Sequence, residues 1–94
     1  MKDLRETRQE LDAVDRELVR LFEKRMGLSR DVAEYKIAHG LPVLDQGREA
    51  IVLASRCSML EDGRLAPQVR QLFETIMALS RQEQERLLRE AGDA

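Results

Sequence analysis

Arg25 stands in a row otherwise held by Leu4, Leu11, Leu18 and Val32, each seven residues from the next. A charge on a stripe meant for burial costs several kcal/mol unless it is paired, so Arg25 calls for an anionic partner. Lys36 follows eleven residues later, about three helical turns and about 16 Å along, on nearly the same face. Two long cationic side chains so placed can converge on a small anion lying between them. Ser80 and Gln84 interrupt a second apolar stripe, that of Val69, Phe73, Ile76 and Leu87, at i, i+4 spacing. Neutral polar groups that face a core must be satisfied by the protein or by a ligand. Asp45, Arg48 and Glu49 share one face of a short helix through i+3 and i+4 spacing. Arg8 precedes Arg25 by seventeen residues, roughly 25 Å along a helix and on a different face. It cannot share a site with Arg25 of its own chain. In an antiparallel pair of chains, however, the start of one long helix lies near the middle of the other.

Each of these residues also has an ordinary structural reading. Arg25 can snorkel past the seam or pair with a glutamate, and Lys36 and Arg8 can be surface cations. Ser80 can bond back to the preceding turn, and Gln84 can sit at the wet end of its helix. Asp45 is a good N-cap, Glu49 a favourable first-turn charge and Arg48 its solvated partner. Taken one at a time, the signals are weak. Metal chemistry of the usual Cys/His kind is out of reach with one cysteine and one histidine. Cys57 reads as a reduced, semi-buried apolar residue.

The elements that must position these residues are helices. From Asp3 to about His39 there is no proline, and Gly27 is the one internal glycine. Asp3 followed by Glu6 has the form of a capping box. The row of Leu4, Leu11, Leu18, Arg25 and Val32 has a companion in Thr7, Val14, Leu21, Leu28 and Tyr35, a heptad-like seam over nearly five repeats. His39-Gly40-Leu41-Pro42 stops this helix. A second helix is expected over about 45–61 and a third over about 66–90, opened by Pro67, with a fraying tail from Ala91 to Ala94. The expectation is therefore an all-α single domain over residues 1–94, three helices with a very long first one. Some 36 residues at 1.5 Å each make a rod of roughly 54 Å. A compact domain of this length has a radius of gyration of about 12 Å. The chain cannot cover that rod by itself, and a second copy, in an intertwined homodimer, is the simplest partner.

Composition narrows the function. The chain is 43% hydrophobic and so globular rather than disordered. With aromatics at 3% and no tryptophan it has no stacking platform for single-stranded nucleic acid. A net charge of −2, with the 16 lysines and arginines spread along the chain, leaves no footprint for a phosphate backbone. No apolar run approaches the roughly 18 residues of a membrane span. The N-terminal MKDLRETRQELD lacks the apolar core of a signal peptide, so the expected location is cytoplasmic.

These residues, in this order, resemble the all-helical class of chorismate mutases. The resemblance runs from about Leu4 to Gln84. It is carried by Arg8 and Asp15, Arg25, Lys36, the segment Pro42-Val43-x-Asp45-x-x-Arg48-Glu49, and Ser80-x-x-x-Gln84 after Leu72-Phe73. It implies a homodimer that converts chorismate to prephenate without metal or cofactor, with active sites shared between chains. On this resemblance Arg25, and Arg8 from the other subunit, bind the two substrate carboxylates. Lys36 contacts a carboxylate and the ether oxygen, and Gln84 donates to that oxygen from the other side. Asp45, through its backbone, and Glu49 hold the ring hydroxyl. Ser80 binds a carboxylate, Arg48 adds a contact or orients a neighbour, and Val32 forms part of the apolar wall. Two competing readings remain at this point: an isochorismate–pyruvate lyase of the same fold, and a non-catalytic helical dimerisation module.

Overall fold

The computed structural model describes Met1 and residues 3–93. Three helices follow one another: α1 (Leu4–Ala38), α2 (Gln46–Ser58) and α3 (Ala66–Asp93), with a 3₁₀ turn at Gly63–Leu65 leading into the last. No strand occurs among the described residues.

Each boundary has a local cause. Asp3 is extended (φ −62°, ψ 141°) and its carboxylate accepts from the Arg5 amide at 3.4 Å, capping α1. At the other end Gly40 takes the left-handed conformation (φ 63°) that a side chain would oppose. The Gly40 amide then reaches Ile37 O at 3.3 Å and the Leu41 amide reaches Lys36 O at 2.8 Å. This pair of bonds is a Schellman motif, and it satisfies carbonyls that the helix would otherwise leave open. His39 seals the same end by stacking on Tyr35, with ring centroids 4.0 Å apart.

The second helix is shorter than its expected span to residue 61. The amides of Met59 and Leu60 bond three residues back, to Arg56 O and Cys57 O, so the last turn tightens and stops. Ser58 Oγ donates to Ser55 O at 2.7 Å and competes for the same turn. Asp62 then caps the 3₁₀ turn by accepting from the Arg64 amide at 3.1 Å. The Arg64 guanidinium on the same carboxylate holds Asp62 below the usual carboxylate range. The third helix continues through the segment expected to fray, as far as Asp93. Gly92 costs only about 1 kcal/mol and does not end a helix alone. Arg86, paired with both Glu83 and Glu90, supports the final turns at i−3 and i+4 spacing. Ala94 lies outside the described residues.

Packing is concentrated at one end of the rod. The third helix lies against both α1 and α2. One apolar residue from each helix is buried: Ala33, Val52 and Met77. Phe73, Ile76 and Leu87 flank them, half-buried. The small side chain of Ala33, 2% exposed, permits the close approach of α3 to α1. The first half of α1 has no such cover, and Leu4, Leu11, Val14, Leu18 and Leu21 stay 49% to 62% exposed. The molecule measures 57 × 26 × 14 Å with a radius of gyration of 16.9 Å, against about 12 Å for a compact chain of this length. No helix among the described residues is long and apolar enough to cross a membrane.

The Ala33 contact is testable. Ala33→Leu should overpack the α1–α3 crossing and cost about 1–3 kcal/mol. In urea the unfolding midpoint should fall with little change in slope. An unchanged midpoint would show that this crossing has room to spare.

Candidate active site

Where α1, α2 and α3 converge they leave an open cleft of about 310 Å³, lined in part by the buried Val52 and Met77 and within the range of small-ligand sites. Seven of the eight residues singled out in the sequence line it: Arg25 and Lys36 from α1, Asp45, Arg48 and Glu49 from the start of α2, and Ser80 and Gln84 from α3. Leu28, Val32 and Val52 supply apolar wall. Arg8, on the bare half of α1, is exposed and lies outside the cleft.

Helix geometry accounts for the convergence. Arg25, Ser29 and Lys36 recur at i, i+4 and i+11, so they line one face of α1. Ser80 and Gln84, one turn apart, face them from α3. The Schellman turn brings the connecting loop back under Lys36, whose Nζ donates to Val43 O at 2.6 Å. This bond ties the ammonium to the loop before α2. Arg25 Nη1 donates to Ser80 Oγ at 3.0 Å. Gln84 Nε2 donates to Ser29 Oγ at 2.9 Å, and Ser29 Oγ lies 3.5 Å from the Ser80 carbonyl, its acceptor. The two helices are thus joined by a short polar chain whose members Ser29, Ser80 and Gln84 are all buried.

The electrostatics are unbalanced. The cleft holds the cations Arg25, Lys36, Arg48 and Arg81 against the carboxylates Asp45 and Glu49, an excess of two positive charges in a chain of net charge −2. Partial burial lowers the pKa of Arg25, and repulsion from Arg56 and then Arg48 lowers it further. The Asp45 carboxylate is taken up in capping α2, where it accepts from the Arg48 amide at 3.0 Å. Glu49 is taken by Arg81, whose Nη1 lies 2.5 Å from both carboxylate oxygens. Gln84 Oε1 is buried with no partner among the described residues. Under-compensated cations in a concave site suit an anionic ligand, and the unpartnered Gln84 acceptor suits one that also carries a donor. No group of acidic, histidine or cysteine side chains among the described residues could hold a metal ion.

Three participants escaped the sequence reading. Ser29 was signalled by its place four residues after Arg25 on the same face. Arg81 carried no signal, since its partner lies 32 residues away on another helix. The Val43 carbonyl is backbone, and only the path of the loop reveals it.

Comparison with known proteins bears on the same residues. A T-protein of Haemophilus influenzae is 43% identical over 56 residues, 60% of this chain and 15% of that protein. A T-protein of Enterobacter agglomerans is 43% identical over 54 residues, 57% of this chain and 14% of that protein. The chain therefore spans about 15% of the length of these relatives. No solved structure matches it. Residues 7–85, which include Arg8, Gln84 and all the lining positions between, match the family described as chorismate mutase type II. The chain belongs to the chorismate mutase type II family.

Proposed function

We propose that this chain rearranges chorismate to prephenate, as a homodimer in which each cleft is completed by the partner subunit's Arg8. The observation that carries the reading is the cleft's excess of two positive charges, which suits a substrate with two carboxylates. The reaction breaks one C–O bond as one C–C bond forms. It needs no nucleophile and no proton transfer. What a protein can supply is conformation and charge. Arg25 and the partner subunit's Arg8 clamp the two carboxylates, holding the enolpyruvyl group over the ring. The guanidinium fork gives this clamp a direction that an ammonium lacks. Lys36 and Gln84 donate to the ether oxygen, where negative charge grows as the bond breaks. Lys36 is already held by Val43 O. Gln84 spends one amide hydrogen on Ser29 and keeps the other. Ser80, tied to Arg25, bonds a carboxylate or fixes the guanidinium that does. Glu49 and the backbone at Asp45 receive the ring hydroxyl.

The dimer rests on surface left uncovered. A folded chain of 10.8 kDa typically exposes about 5,500 Å², whereas this one exposes 7477 Å². The excess per chain is what a permanent two-chain interface hides. Covering the exposed halves of Leu4, Leu11, Val14, Leu18 and Leu21 contributes about 1 kcal/mol each. An antiparallel partner also brings its Arg8 toward the open cleft.

Three outcomes test this reading. Lys36→Ala and Gln84→Ala should each reduce kcat by about 10²–10³, with the dimer intact by sedimentation. Near-normal turnover in either would remove the assigned role, and release of salicylate and pyruvate from isochorismate would favour the lyase instead. Arg25→Met should abolish turnover yet hold or raise Tm, since it removes a partly buried cation repelled by Arg48 and Arg56. A clear drop in Tm would make Arg25 a structural residue. Finally, an Arg8→Ala chain and an Arg25→Ala chain, each inactive, should regain activity when refolded together, because one site of the mixed dimer is intact. Verified exchange without recovery would count against shared sites.

A further inference from the structure

Glu49 is the one cleft carboxylate not used as a helix cap, and it sits among cations. Arg48 precedes it in sequence, and Arg25 and Lys36 line the same cleft from α1. A flexible carboxylate so placed would swing onto whichever cation was nearest and neutralise it. It does not, because Arg81 reaches across from α3 and takes both of its oxygens. The pair is not a loose surface bridge. The Arg81 and Glu49 side chains are only 31% and 25% exposed, and they tie α2 to α3 at the cleft wall. Arg25 and Lys36, by contrast, spend their donors on neutral oxygens, Ser80 Oγ and Val43 O. A ligand carboxylate can displace these without breaking an ion pair.

We propose that Arg81 is a positioning residue for Glu49, holding that carboxylate on the α2–α3 wall so that Arg25, Lys36 and Arg48 stay free for an incoming dianion. The inference rests on the reading of the cleft as the chorismate site. On this account Arg81 acts through Glu49 and not on the ligand. Its loss releases an internal competitor for the same cations, which lowers the fraction of protein competent to bind.

The test is a double-mutant cycle read by calorimetric binding of a dianionic bicyclic mimic of the rearrangement's transition state, with Tm recorded for each variant. Arg81→Met should weaken binding about tenfold and raise KM for chorismate similarly, with kcat changed less than about threefold. Arg81→Lys should restore most of the loss. In a Glu49→Gln background, adding Arg81→Met should change Kd less than about twofold, because there is no carboxylate left to restrain. Loss of one positive charge acts through space equally in both backgrounds. Equal weakening in both would therefore show that Arg81 serves the ligand directly and would overturn the proposal. So would no weakening in either. If Arg81→Met does not fold, Arg81→Ala, which likewise offers the carboxylate no donor, completes the cycle with the same expectations. Wild-type protein that binds the mimic but leaves chorismate unchanged would remove the mutase reading while the cycle still decides the role of Arg81. Wild-type protein that binds no dianion would remove both.

Discussion

The length of α1 constrains the rest of the molecule. A helix of 35 residues is about 52 Å long, and its buried residues, Ser29 and Ala33, both lie in the second half, where α3 packs on it. Within that half the three helices converge closely enough to bury Ala33, Val52 and Met77 and to leave a cleft beside them. In the first half α1 carries its apolar seam into solvent. The same feature gives the chain its elongated shape, its excess surface and the distance between Arg8 and the other cations. In the proposed dimer that distance becomes useful, since the end of α1 that cannot serve its own cleft can serve another.

Charge is the second organising term. Placing Arg25 within repelling distance of Arg48 and Arg56, partly shielded from water, works against folding. The fold keeps it there with a neutral hydrogen bond to Ser80 Oγ rather than with a carboxylate. The two available carboxylates are engaged elsewhere, Asp45 by the N-terminus of α2 and Glu49 by Arg81. The cleft therefore retains a positive potential that an ordinary surface of mixed charges would cancel. Sites that retain unfavourable local interactions of this kind trade stability for ligand recognition.

Order within the cleft comes from hydrogen bonds that cross between helices. Ser29 joins α1 to Gln84 and to the Ser80 carbonyl, and Lys36 joins α1 to the loop before α2. Two of these bonds, Gln84 to Ser29 and Lys36 to Val43 O, each hold a side chain given a role in the proposed rearrangement. A donor aimed at a developing charge is effective only if it needs no reorganisation when the charge appears.

Much of this was legible in the sequence, because helical periodicity turns spacing into direction. Eleven-residue spacing, about three turns, placed Lys36 on nearly the same face as Arg25, and i, i+4 spacing placed Ser80 with Gln84. Asp3 and Asp45 marked helix starts, and the Gly40 region marked the end of the long rod. What spacing could not decide was which face of α2 meets which face of α3, and at what height. That choice pairs Arg81 with Glu49 and Ser29 with Gln84, partners 32 and 55 residues apart. It also brings Arg56 close enough to Arg25 to be felt. Periodicity acts along one helix, whereas these contacts depend on the packing of small residues such as Ala33 between helices. The residues proposed to bind a dianion were therefore legible in the sequence alone, and the partners that occupy Asp45 and Glu49 were decided by the tertiary structure.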